Sequence, residues 1–170
     1  MLERGRHKMD LGDRRAWWRR LEDHCAANNI ALTPLRRQML ALLCSEVTPK
    51  GAYDLLRELG ANRGRAISPP TIYRSLEYLI ERGLVIRIES RNAYVARKRP
   101  GISGGALLYV CSTCSSIVEA EVAPLDHCLR NVAAGIGFRI DRQILELEGV
   151  CQGCTASQTR VENPVVGVSA

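Results

Sequence analysis

Four cysteines in two C-x-x-C pairs are the residues of this chain best placed to do chemistry. Cys111 and Cys114 stand in YVCSTCSSIVEAEV, residues 109–122. Cys151 and Cys154 stand in GVCQGC, after 36 intervening residues. A C-x-x-C pair on a turn offers two sulfurs from one short loop, and two such pairs make the four-thiolate set that tetrahedral Zn2+ takes. Four sulfurs leave no open coordination position, so the expected ion is structural rather than catalytic. A thioredoxin-type redox pair is the competing chemistry. It favours a thiolate stabilised at the start of a helix, and neither pair reads as opening one. Plain buried thiols are the third reading.

The other three cysteines, Cys25, Cys44 and Cys128, fall on expected helical faces and read as small buried hydrophobes. Seven cysteines is an odd number. The N-terminal stretch MLERGRHKMDLGDRRAWWRR has charges but no apolar core of a secretory signal, and its acids and lack of serine argue against a transit peptide. A disulfide framework is therefore disfavoured, and a cytoplasmic location is expected. No apolar run reaches about 18 residues, so no membrane span is expected.

A second constellation is basic. Residues 1–100 carry 20 Lys+Arg against 11 Asp+Glu, a net of +9, while residues 101–170 carry 4 against 7, a net of −3. One half suits a polyanion and the other a different task. Within the basic half, SPPTIYRSLEYLIERG reads as a helix with Ser68 as cap, an inward stripe of Ile72, Leu76, Leu79 and Ile80, and Gly83 at its end. Thr71, Tyr73 and Arg74 point away from that stripe. In a winged helix such early recognition-helix residues reach base edges: Arg74 can read guanine, and Tyr73 a thymine methyl or a phosphate. Arg36, Arg37 and Arg91 suit phosphate contacts.

The elements that must position these groups are legible as periodic runs. Residues 14–29 place Trp17, Leu21, His24 or Cys25, and Asn28 on one helical face. A second helix begins at Thr33-Pro34, an N-cap followed by proline, with a stripe of Leu35, Met39, Leu42 and Leu43. A third, KGAYDLLRELGAN, carries Ala52, Leu55, Leu56 and Leu59 and stops at Gly60. After the fourth helix the period changes to two: LVIRIES and NAYVAR form a hairpin around Ser90-Arg91-Asn92. RKRPGISGG then reads as a hinge, followed by strand, strand, helix and strand. The expected fold is α+β. It comprises a flexible segment 1–13, a winged helix-turn-helix over 14–96, a hinge at 97–105, a small zinc-bound α/β unit over 106–155, which the resemblance given below makes the dimerisation domain, and a disordered tail 156–170.

Taken in order, LTPLRRQML, AYDLL, SPPTIYRSLEYLIERGLV, ESRNAYV, YVCSTC and GVCQGC resemble the ferric uptake regulator family, most of all its zinc uptake regulator branch. The resemblance spans about residues 20–155. It implies a homodimer whose two winged helices grip half-sites of a palindromic operator in double-stranded DNA. It assigns Cys111, Cys114, Cys151 and Cys154 to the family's structural zinc and Tyr73 and Arg74 to base reading. It also implies a second, regulatory metal site between the domains, and here the chain departs from the pattern. Alignment puts Ile86 and Arg97 where a histidine and a cysteine are expected. The hinge has no histidine, and only Glu119 matches. Isoleucine has no lone pair to donate, and arginine stays protonated. The regulatory site reads as degenerate, with Glu119 as its remnant. Arg97, Lys98 and Arg99 stand ready to contact Glu119 in place of an ion; a rearranged site with His127 or Cys128 is the alternative.

These readings converge on a sequence-specific DNA-binding regulator, a repressor in its simplest form, with one structural zinc and no small organic substrate. A non-sensing adaptor that pairs with a true metal sensor is the second reading. A thiol oxidoreductase is the third, and the primary expectation is that the protein is not an enzyme.

Overall fold

The computed structural model describes residues 11–45, 48–64, 66–101, 105–120, 123–141 and 143–159. Helices α1 (Leu11–Ala27), α2 (Pro34–Ser45), α3 (Ala52–Arg63) and α4 (Pro69–Glu81) lead into a hairpin of β1 (Val85–Ile88) and β2 (Ala93–Ala96), joined by a 3-10 turn at Glu89–Arg91. Then follow β3 (Ala106–Cys111), β4 (Ile117–Ala120), α5 (Ala123–Gly135), β5 (Ile144–Gly149) and α6 (Gln152–Thr159). The fold is α+β, a winged helix-turn-helix followed by a small α/β unit. The latter's sheet has the order β4-β3-β5, with β4 antiparallel and β5 parallel to β3.

The four N-terminal helices bury most of the expected stripes, with Leu35, Leu42, Leu56 and Ile80 only partly covered and Leu40, outside the expected stripe, fully buried. Trp17, Leu21 and Cys25 of α1 meet Met39, Leu40 and Leu43 of α2, Leu55 and Leu59 of α3, and Ile72, Leu76 and Leu79 of α4. Each such side chain taken from water is worth roughly 1.5–3 kcal/mol. Thr33 caps α2, its Oγ1 accepting from the Arg36 N–H at 3.4 Å. Ser68 holds the N-cap position of α4, but its hydroxyl pairs with that of Thr71 at 2.8 Å and makes no side-chain cap bond. Proline at the first positions of α4 removes N–H groups that would otherwise need a cap.

Both faces of the hairpin are apolar, and each has its own partner. Val85 and Tyr94 join the helical core. Ile86 and Ile88 turn the other way and pack with Ala106, Leu108, Val110 and Ile117 of the second sheet, with Val95 and Ile144 at the margin. The wing is thus a middle layer shared by two cores. Lys50 lengthens it, exchanging backbone hydrogen bonds with Tyr94 at 3.0 and 2.8 Å.

Several boundaries differ from expectation. α1 begins at Leu11, inside the segment expected to be flexible; residues 1–10 lie outside the described residues. His24 and Asn28 are not core: Asn28 Nδ2 donates to the His24 carbonyl at 2.9 Å, at the exposed end of the helix. α3 runs through Gly60 to Arg63 and ends at Gly64, whose φ of 62° is left-handed. Glycine costs about 1 kcal/mol inside a helix, and the burial of Leu55 and Leu59 outweighs that. α6 occupies residues expected in the loop and tail, and the rest of the tail, 160–170, lies outside the described residues. Cys25 and Cys44 are buried as expected, but Cys128 is exposed. The cause lies in α5, of which only Ala133 is buried among the described residues.

Candidate metal centre, interdomain joint and nucleic-acid face

The parallel pairing of β3 with β5 sets Cys111 beside Gly149. The first cysteine pair leaves the end of β3, and the second begins two residues after the matching end of β5. The Ser112 N–H donates to the Gly149 carbonyl at 2.8 Å and ties the two loops. Ser115, at a left-handed φ of 60°, turns the chain back into β4. The four Sγ atoms consequently lie within 4.8 Å of one another, the one such metal-ligating group among the described residues.

Cys111 Sγ is 3.9 Å from Cys154 Sγ, and Cys114 Sγ is 3.7 Å from Cys151 Sγ. A tetrahedron with Zn–S bonds of about 2.3 Å has an edge of about 3.8 Å. A disulfide would need about 2.05 Å, and all four thiols are free. The donor set therefore fits Zn2+. Hydrogen bonds from the backbone at Cys114 and Cys151 lower the Cys111 thiol to about 6. The hydroxyl and N–H of Ser116 lower Cys114. Cys154 moves the other way, to about 12, first through its hydrogen bond with Cys151 and then through burial. Four thiolates this close repel one another, and a central dication is what lets all of them ionise.

One sequence expectation fails here. The second pair does open a helix, because α6 starts at Gln152; the Cys154 and Thr155 N–H groups both donate to the Cys151 carbonyl at 3.0 Å. The lack of a helix start therefore cannot be the argument against redox chemistry. The argument that holds is the packing of both pairs into one four-sulfur set.

On the opposite half, Thr71, Tyr73 and Arg74 are exposed along the first turns of α4, on the side away from Ile72 and Leu76. Arg36, Arg37 and Arg91 have partners within the chain. The Arg36 guanidinium lies 3.4 Å over the Tyr78 ring, Arg37 pairs with Glu22 at 3.0 Å, and Arg91 pairs with Glu148 of β5 at 2.6 Å.

Between the halves lies a joint. Glu119 is opposite Leu108 in the β3–β4 register, on the sheet face that packs against the wing. There its Oε1 accepts from Arg97 Nε at 3.1 Å, with the two side chains 10% and 17% exposed. Its Oε2 accepts from the Lys98 N–H at 2.7 Å. Arg97 Nη2 donates to the Gly105 carbonyl at 3.1 Å, and Trp17 Nε1 donates to the Arg97 carbonyl at 2.7 Å. Arg97 heads the segment expected to be a hinge, yet it is buried. Ile86 is buried as well, at 4% exposure, in the second core. Among the described residues, no group of three or more metal-ligating side chains includes Glu119, His127 or Cys128.

A further tie was not anticipated. Glu146 of β5 accepts from the Glu89 and Ser90 N–H groups of the wing's 3-10 turn at 2.6 and 3.1 Å. Burial pushes its carboxyl up, but the Ser90 hydroxyl and these two N–H groups more than reverse that, leaving it below the usual glutamate value. An isolated glutamate on a strand carries no signal of partners that are backbone amides 56 and 57 residues away.

A winged helix-turn-helix joined to a four-sulfur α/β unit defines a class of metal-dependent DNA-binding regulators, and comparison with known proteins narrows it. The sequence model of the Ferric uptake regulator family matches residues 27–148, and the chain belongs to that family. The zinc uptake regulation protein of Escherichia coli K12 is 32% identical over 134 residues, 78% of each chain. A zinc uptake regulator solved in complex with zinc and DNA superposes with a TM-score of 0.79 at 28% identity, covering 88% of this chain and 99% of the other. A holo structure described as XcZur gives 0.75 at 34% identity, covering 83% and 98%. Within the family, then, the likeness runs to the zinc branch. The family is one of transcriptional regulators, not enzymes. No helix among the described residues is long and apolar enough to cross a membrane.

Proposed function

We propose that this chain is a sequence-specific transcriptional repressor that grips a palindromic operator as a homodimer. Each subunit holds one structural Zn2+ on Cys111, Cys114, Cys151 and Cys154. The observation that carries the reading is the exposed row Thr71, Tyr73 and Arg74 on a helix whose opposite side fills the core. A side chain at such a place reads base edges while basic neighbours hold the phosphates. Residues 14–96 do the reading, 97–105 link, and 106–155 dimerise.

The dimer reading has its own support. Tyr109, Val118 and Leu147 are adjacent across β3, β4 and β5, and each is about half exposed. On α5 and beyond it, Val132, Ile136 and Phe138 are more than 60% exposed. An apolar helix that buries only Ala133 among its described residues needs a second surface, and a second copy supplies it. Zinc closes the sheet that carries this surface and supplies no reaction.

Selection from a random duplex pool by the full-length, zinc-loaded protein tests the reading. The expected result is an enriched palindrome whose affinity falls steeply with salt. A non-sensing adaptor would use the same apolar face to pair with a related sensor, and it would enrich no sequence alone.

A further inference from the structure

The carboxylate of Glu119 sits on a packed sheet face, where an unpaired charge is costly. Its surroundings do not fit a metal ion. Among the described residues its partners are the guanidinium of Arg97, which is always protonated and donates only, and the backbone N–H of Lys98, and the wing core beside it carries the alkyl side chain of Ile86. The guanidinium supplies the positive charge beside Glu119 and also holds the Gly105 carbonyl, and the Arg97 backbone is fixed as well. The Arg97 N–H reaches the Leu84 carbonyl at 2.9 Å, its Nη2 reaches Gly105, and its carbonyl receives Trp17 from α1. One residue thus ties the first helix, the root of the wing, the end of the linker and β4.

We infer that the Arg97–Glu119 ion pair is the positioning element that sets the DNA-reading unit at a fixed angle on the C-terminal sheet. Because its cation is part of the chain, operator binding needs no second metal ion. The inference rests on the reading of the chain as a DNA-binding regulator. A pair that only stabilised the fold would change the melting temperature and leave the geometry of recognition alone. A positioning pair also decides which half-site spacing the dimer accepts.

The test uses the duplex enriched by the wild-type protein and a version with two base pairs inserted between half-sites, about a fifth of a helical turn. For the wild type, the insertion is expected to weaken binding about tenfold or more, near 1.4 kcal/mol. Glu119→Gln is expected to keep its structural zinc and its dimer mass. It should lose about tenfold in affinity at the native spacing and show a spacing penalty of only about twofold. Zinc added beyond the structural equivalent should shift wild-type affinity less than about twofold.

An E119Q protein that melts lower but keeps the full spacing penalty would overturn the positioning role. A tenfold gain in wild-type affinity on binding a second zinc would overturn the metal independence, and that measurement needs no variant to fold. A wild-type protein that enriches no sequence would instead remove the regulator reading, and this inference with it.

Discussion

The sulfur centre and the Arg97–Glu119 joint solve one problem in opposite ways. Each gathers negative charge from distant parts of the chain and needs a cation to hold it together. At the sulfur centre the four Sγ atoms lie within 4.8 Å of one another, and the cation proposed to join them must arrive from solution. At the joint the guanidinium lies 3.1 Å from the carboxylate and the cation is encoded. The first arrangement makes folding depend on metal supply; the second is insensitive to it. On the reading proposed above, the sulfur centre needs zinc and the joint does not.

The comparison breaks most readily at the sulfurs. Chelation under reducing conditions, or Cys114→Ala, should abolish zinc binding and unfold the C-terminal unit, since structural zinc contributes an apparent 10–16 kcal/mol in small domains. Circular dichroism and size exclusion would show loss of structure and of the dimer; a metal-free protein that remains folded and paired would refute the assignment. At the joint, Arg97→Ala leaves a buried carboxylate unpaired and should cost roughly 3–5 kcal/mol in denaturant melts. The melts should be unchanged by further zinc.

Arg74→Ala leaves both features intact. It should cost about 1–3 kcal/mol of operator affinity and relax discrimination at one base position. An equal loss on random DNA would mean that Arg74 touches only phosphate.

The smallest effect is at Glu146. Its folded pKa is depressed, so its contribution is present above the unfolded value of about 4.3 and is lost as pH falls through the lower, folded value. Glu146→Gln should therefore flatten acid stability below about pH 4 while changing neutral stability by about 1 kcal/mol or less. A variant whose acid limb matched the wild type would show that the wing-turn contacts do not persist in solution.

What the sequence made legible follows from the range of the interaction. The four cysteines could be read because ligand chemistry is carried by residue type and spacing alone, and the return of β5 beside β3 is the one fold step the site needed. The helical stripes were readable because their partner faces lie in the same chain. α5 marks the limit. Cys128 read as a small buried hydrophobe, but among the described residues of the helix only Ala133 is buried and Cys128 is exposed. α6 was missed because QGCTASQT has no apolar stripe; its first residues are held by the cysteine loop rather than by a helical period. The end of α3 was misplaced because a glycine inside a well-buried helix looks the same in sequence as a glycine at its end. The Arg97–Glu119 contact was within reach through the mismatch at the aligned positions. The Glu146 tie was not, because its partners are main-chain groups.

The strand β5 runs from the wing to the zinc-binding loop. Glu146 and Glu148 grip the wing's turn, and three residues past Glu148 the same backbone delivers Cys151. On the proposed reading, slackening of the thiolate cage would pass along this strand to the turn of the hairpin. Starvation for that proposed ion would then reach the wing, although all four candidate ligands belong to the C-terminal unit.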